Sequence, residues 1–475
     1  MRIVTIASFI FCSLTFSAQE VWSLEKCINY AIENNLQIKQ NEVNLAFVEF
    51  SRTQTIYDFL PTLNAGASHG YNWGQRIDPF TNEFASERIR NNSFFLSSQV
   101  DLFNGFTKWH ARNQAEVNLE VTKLEIENTK NDIILNIAAA YLNVLQTNEL
   151  WNISKNSIGA TQLQVDRMQK LVDAGQVAIG NLYDLQAQLA SEELNVIQNE
   201  NAFILAKLTL AQLMQIPSNQ ANGFQIEVPN FDDMEVNMPA ADVDVLYTSA
   251  QSNLPDIALA EKGIESTELG LKVAKAAMMP SLSASGSLGT GYSGNAQTVI
   301  GDPDLVPVTI GVVDGTTNTV STIVEQFSDD DFATKSFQDQ WEDNFNQSLT
   351  LSLNIPIFNG LSIRTGIKQQ EVNLESQKIA LELAKNTLYQ EVQQAYTNAI
   401  AAYKEYQSTE KSLNAFELNY TNAEKRFEQQ VINPVDFNDA RTRFLNAQTQ
   451  LVLSKYNFVF QTKILDFYQG KEIKL

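Results

Sequence analysis

The 475-residue sequence predicts an α+β membrane protein in which one helix–strand–strand–helix unit is written twice. Three observations predict this class: an N-terminal export signal with no later apolar span, an internal repeat at constant offset, and long heptad segments flanking short two-faced strands.

Arg2 supplies a positive start, Ile3 to Phe16 is an apolar run, and Ser17-Ala18-Gln19 offers a small residue for cleavage, so residues 1–18 read as a signal peptide. Cys12 follows Ile10 and Phe11, not the small residues that lipid attachment needs. After cleavage only Cys27 remains, which precludes an intramolecular disulfide. With 33 basic against 55 acidic residues the net charge is −22, which disfavours nucleic acid and anionic membrane surfaces as partners, although solubility alone also accounts for it. No later stretch is apolar for the ~20 residues of a membrane helix. The nearest, Ile133 to Leu145, is broken by Asn136, Tyr141 and Asn143. An exported chain of this kind is periplasmic, secreted, or held in an outer membrane by strands.

The repeat comes next. Cys27–Glu42 aligns with Leu246–Glu261 at an offset of 219, matching Ala31 to Ala250, Asn34 to Asn253 and Ile38 to Ile257. The same offset carries Pro61 onto Pro280 and Gly70 onto Gly289. Further along the offset is 255: Phe103-Asn104-Gly105 falls on Phe358-Asn359-Gly360, and Glu116–Glu120 recurs unchanged as Glu371–Glu375. The increase of 36 places one insertion between Tyr292 and Phe345. The division that follows is a first repeat over 19–216, a connector over 217–244 that wraps the helices or merely links them, and a second repeat over 245–475.

Each copy opens on a helical pattern, Leu24–Tyr57 and Val245–Met278, ended by Leu60-Pro61 and Met279-Pro280. The period then falls to two in Leu63–Trp73 and Leu282–Tyr292. Returning strands alternate through Phe94, Leu96, Val100 and Leu102, and through Leu349, Leu351, Leu353, Ile355 and Ile357. Such strands suit a membrane barrel with lipid outside and water inside, or a sheet covering a soluble core. The helices beside them offer no globular domain for a sheet to cover. Gly105 and Gly360 then break each strand from a very long helix. Ile137, Val144, Trp151, Ile158, Val165 and Val172 keep seven-residue spacing, as do Ile367, Leu374, Leu381, Leu388, Ala395 and Ala402. Sustained heptads predict coiled-coil packing. The first rod turns at Asp173–Asn181, where Gly175 is a candidate C-terminal cap and Gly180 a further break. The second turns at Asn433, an N-cap, and Pro434, a first helical residue. Returning helices are expected over Leu182–Gln215 and Val435–Gln469.

In this order and twice over, the Leu-Pro-Thr-Leu and Met-Pro-Ser-Leu strand starts and the Phe-Asn-Gly exits resemble the TolC family of outer-membrane efflux proteins, across essentially the whole mature chain. The resemblance implies a homotrimer in outer-membrane lipid, four strands per copy forming one 12-stranded β-barrel, continued by a long coiled-coil α-barrel as a periplasmic tunnel. It implies a passive exit duct for efflux or type I secretion, working with an inner-membrane transporter and a periplasmic adaptor. The family's pore-narrowing Val-Asp-x-x-Asp-Ala pattern matches Val435-Asp436-Phe437-Asn438-Asp439-Ala440, so Asp436 and Asp439 are candidates for stacked acidic rings. The other reading is that they complement the helix dipole. The first hairpin has only Asp184, and Gln430 stands where the family often has glycine.

The loops Gln75–Asn92 and Ser293–Asn344 join strand pairs and are expected outside the cell; Asp329-Asp330-Asp331 marks a solvated loop or a calcium site. His69 and His110 lack neighbours at metal-ligand spacing, and no nucleophile motif or phosphate loop is present, so neither an enzyme nor a cofactor is expected. A secreted or periplasmic coiled-coil scaffold or adhesin is the rival function; it keeps the heptads but has no use for the two-faced strands.

Overall fold

The computed structural model describes residues 21–85, 88–217, 224–229, 238, 242–429 and 431–475, so the signal peptide, much of the connector and Gln430 lie outside the described residues. In chain order the first copy forms β1 (Val21–Trp22), α1 (Leu24–Asn34), α2 (Leu36–Tyr57), β2 (Thr62–Asn72), β3 (Arg76–Ile77), β4 (Phe84–Ala85), β5 (Ile89–Asn104), α3 (Thr107–Asp173) and α4 (Ile179–Leu213). β6 (Gln225–Ile226) follows. The second copy forms α5 (Val243–Asn253), α6 (Pro255–Ala276), β7 (Ser281–Ser293), β8 (Gln297–Val299), β9 (Asp304–Val312), β10 (Thr319–Gln326), β11 (Phe332–Thr334), α7 (Phe337–Asp343), β12 (Asn346–Asn354), α8 (Ser362–Glu428) and α9 (Pro434–Tyr468). The chain divides into a helical unit (residues up to Glu49, Val117–Ser266 and Leu374–Leu475) and a sheet unit (Phe50–Glu116 and Thr267–Asn373).

The opening helices correct the expectation of one uninterrupted segment each. At Asn35 (φ −62°, ψ 127°) the backbone N–H bonds back to Ala31 O, and Oδ1 accepts from the N–H of Gln37 (2.8 Å) and Ile38 (3.4 Å). One residue thus closes α1 and caps α2. In the second copy Leu254 is extended (ψ 143°) because Pro255 follows it, and the proline starts α6.

In the helical unit the heptad residues face inward: Ile137, Val144, Val165, Leu388, Ala395 and Ala402 are buried and Trp151, Ile158, Val172, Leu374 and Leu381 half-buried; Ile367, in the sheet unit, is half-buried. One core gathers Cys27, Ala31 and Ile38 with Tyr141, Val144, Leu210 and Val459. A second gathers Leu246, Ala250 and Ile257 with Leu388, Val392, Ala399 and Leu465. The repeat matches Ala31/Ala250 and Ile38/Ile257 are therefore equivalent core positions. Tyr141 Oη lies 2.7 Å from Glu227 O and 3.1 Å from Trp22 O, beside the parallel pair of β1 and β6.

In the sheet unit the strands run in the order β12-β7-β5-β2, all antiparallel, so β5 and β7 join the two copies. Register puts Ala65, Leu96, Leu288, Leu349 and Leu351 on one face and Ser97, Ser285, Ser287, Ser348 and Thr350 on the other. β12 ends at Asn354, short of the expected Ile357, because Pro356 has no N–H to give a ladder. The expected loops carry ladders of their own: β3 with β4, β8 with β11, and the hairpin β9–β10.

Both copies leave their strand through two consecutive left-handed residues, Gly105 and Phe106 (φ +64° and +67°) and Gly360 and Leu361 (φ +65° and +66°). Glycine relieves the first; the second costs about 1–2 kcal/mol that the flanking structure must supply. A Cβ at Gly105 would lie 2.5 Å from Ala276 O and from Met279 Cβ, whereas at Gly360 it meets open space. Gly360→Ala should therefore cost about 1 kcal/mol and Gly105→Ala distinctly more, read as thermal midpoints of the purified protein. Cys27 gives a second expectation. Burial pushes its thiol up to about 12, so at pH 8 it should resist maleimide in the native protein and react once the chain is denatured.

Candidate functional site: the ends of the helical hairpins

Each hairpin turns by its own chemistry. Gly175 (φ +69°) ends α3, with its N–H on Val172 O and that of Gln176 on Leu171 O, both 2.9 Å. Gly180 is already the second residue of α4, inside the helix and not in the turn. In the second hairpin Val431 N donates to Arg426 O (2.8 Å), and Asn433 Oδ1 accepts from Asp436 N (2.8 Å) with Pro434 at the first position of α9. Phe427 stacks on Phe437 at 4.7 Å, and Tyr420 on Phe444 at 5.1 Å.

Phe437 and Ala440 are buried, and Asp436 and Asp439 are exposed on the other side of α9. The two carboxylates differ. Asp439 Oδ2 lies 3.0 Å from Arg443 Nε, an exposed i,i+4 pair worth under about 1 kcal/mol but enough to offset local charge. Asp436 sits in the first turn, where the helix N-terminus favours an anion. The junction residues lie in the sheet unit: Pro61 and Pro280 each precede a strand, β2 and β7, and Gly105 and Gly360 each precede a long helix.

One buried group was not anticipated. Arg441 (3 % exposed) meets Glu192 (5 %). Nη1 lies 3.0 Å from Oε1, and Nη2 donates to Glu192 Oε2 (3.2 Å) and to Ser157 O (2.8 Å). Glu192 also accepts from Thr161 Oγ1 (2.6 Å), Ser157 Oγ (2.9 Å) and Gln188 Nε2 (2.8 Å). The cluster ties α9 to α3 and α4. Position gave one signal: Arg441 stands four residues after Phe437 and three before Phe444, on the buried seam. Among the hairpin helices a cleft of about 420 Å³ is lined by Leu163, Arg167, Met168, Glu424, Phe427 and Ile432, among others, with residues drawn from all four.

Among the described residues no helix is long and apolar enough to cross a membrane, and no cluster of three or more His, Cys, Asp or Glu could hold a metal. Asp331 is engaged locally, accepting from Ser328 N (2.7 Å) and Oγ (2.8 Å).

A duplicated chain of long helical hairpins joined to two-faced strand pairs defines an outer-membrane channel protein. The family model described as "Outer membrane efflux protein" matches residues 27–214 and 246–465, and the chain belongs to that family. It is 23% identical to outer membrane protein TolC of Escherichia coli over 412 residues, 84% of this chain and 72% of that one. The solved structure of CusC superposes with a TM-score of 0.75 at 14% identity, covering 95% of this chain and 92% of that one. CmeC of Campylobacter jejuni gives 0.74 at 15%, covering 100% and 95%. The protein resides in the outer membrane with a periplasmic extension and serves as the exit duct of an efflux system.

Removing one partner of a buried pair leaves the other charge uncompensated, at a cost of about 3–5 kcal/mol. Glu192→Leu should therefore lower the thermal midpoint of the helical signal strongly, and adding Arg441→Met should restore most of the loss. Equal destabilisation in the single and double variants would show that the charges do not act as a pair.

Proposed function

We propose that three copies donate their four-stranded sheets to one 12-stranded barrel, and that their hairpins line a coiled-coil tunnel narrowed by Asp436 and Asp439. One observation carries this reading: the sheet has opposite faces of leucine and serine, and its outer strands β2 and β12 have no further partner in the order β12-β7-β5-β2. An open edge is not tolerated in lipid, and four strands are too few to close. Other copies of the chain supply matching edges. The proposed organisation along the chain is a signal peptide over 1–18, repeats over 19–216 and 245–475, and a connector over 217–244.

Conduction is passive on this reading, with energy supplied by an inner-membrane transporter through a periplasmic adaptor. The cleft between the hairpins, apolar with Arg167, Glu424 and Glu428 at its edge, suits an adaptor segment of mixed character. Gly175, Asn433 and Pro434 shape that end, and Pro61, Gly105, Pro280 and Gly360 mark the passage between barrel and tunnel. No catalytic step is part of the proposal.

Threefold repetition places three copies of each aspartate around one axis, which favours cations. Arg443 offsets Asp439, so Asp436 carries most of the field. In planar bilayers under a salt gradient, Asp436→Asn should move the reversal potential further toward zero than Asp439→Asn, and the double variant furthest. Unchanged selectivity in the double variant sinks the acidic-ring assignment.

A further inference from the structure

The insertion that sets the second copy apart contains α7, and α7 lies against the apolar face of the sheet. Phe337 and Trp341, one helical turn apart, share a side of α7. Phe94 meets both rings, at centroid distances of 6.1 and 5.1 Å, and Tyr292 meets Phe337 at 5.9 Å. Thr290 Oγ1 donates to Trp341 O (2.8 Å). Phe94 is paired with Thr290, and Tyr292 stands two residues further along β7, so all three project from one face. That face continues through Leu96 and Leu288 to Leu349, Leu351 and Leu353, which are 63–83 % exposed.

Polar contacts moor α7 to the same strand, β7. Gln340 is buried; its Nε2 donates to Ser293 O and Lys335 O (both 2.9 Å), and its Oε1 accepts from Ser293 N (2.8 Å). Asn344 Nδ2 donates to Gly291 O (2.8 Å). A helix held this firmly nevertheless leaves Phe337 47 % and Trp341 42 % exposed. At the same end of the same face, the guanidinium of Arg90 lies over Tyr292 (4.7 Å) and that of Arg88 over Tyr71 (5.0 Å). Aromatic rings with cationic or polar tips are what a bilayer interface selects.

The spacing agrees. From Thr290 to Leu282 is about 27 Å along a strand, or about 20 Å of height at a barrel tilt of ~40°, close to the ~25 Å apolar band of an outer-membrane barrel. α7 therefore sits at one rim of that band.

We infer that α7 is an interfacial anchor that lays Phe337 and Trp341 into the outer leaflet of the membrane, against the outside of the barrel. The occupant of this surface is lipid, because the surface is continuous with the leucine face that the barrel presents to the bilayer; the inference rests on the barrel reading.

The test uses the full chain in vesicles of phosphatidylcholine brominated either shallow or deep in the acyl chain. Subtracting the emission of Trp341→Phe from that of the unaltered protein isolates Trp341. A second reporter, Leu351→Trp in the Trp341→Phe background, samples the middle of the leucine face, and retained conductance shows that each variant is folded. Trp341 should lose more intensity to shallow bromines than to deep ones, and the Leu351→Trp reporter more to deep ones. If the reporter is quenched and Trp341 is not, α7 is no anchor although the barrel stands. If neither is quenched, the barrel reading fails and takes the inference with it.

Discussion

The antiparallel ladder between β5 and β7 sets the terms for the sheet unit. It runs from Asn91 opposite Ser293 to Asn104 opposite Ser281, with one irregularity near Asp101, and it is the only pairing in the four-stranded sheet that joins the two copies. Because side chains alternate, a slip of one residue would turn Leu288 away from Leu96 and mix leucine with serine on both faces. Each later feature inherits this parity. Phe80, from the loop of the first copy, sits over Gly291 on the polar face, and α7 from the second copy sits over Thr290 and Tyr292 on the apolar one. The two copies' loops, unequal in length, thus cover opposite faces of the same sheet.

The helical unit balances differently. Its seams are apolar for most of their length, and coiled packing of leucine, isoleucine and alanine needs no charge. Arg441 and Glu192 interrupt that pattern where α9 meets the first hairpin. Desolvating such a pair is expensive, and most of the compensation falls to the carboxylate, which accepts from Thr161, Ser157, Gln188 and Arg441, while Nη1 of Arg441 meets it as an ion pair without a hydrogen bond. The pair holds its charge inside the bundle while Asp436 and Asp439, on the same helix, keep theirs in water. One turn of helix separates a structural use of charge from the use proposed for conduction.

Much of this was legible in advance because it rests on interactions a few residues long. The caps at Gly175 and Asn433, the change of period at Pro61 and Pro280, and the burial of Ile137, Val144 and Leu388 all follow from neighbours within a turn or a strand. Asn35 shows where such reading falters. It sits inside an apolar helical period, and only the direction of its side chain, toward Gln37 and Ile38, reveals a break. The pairing of Asp439 with Arg443 was open to inspection at i,i+4 spacing, and it changes which aspartate matters more.

The amino-acid sequence alone determined the duplication, the helix and strand periods, the hairpin ends and the family. These are encoded redundantly, in two copies, and each copy depends on short-range order. Tertiary structure alone decided that Arg441 finds its carboxylate 249 residues away, and that α7 packs on the leucine face and not on the serine face. Periodicity tells which side of an element is apolar. It does not tell which distant surface will meet it, because that choice is made by register and chain connectivity once the whole sheet and bundle have formed.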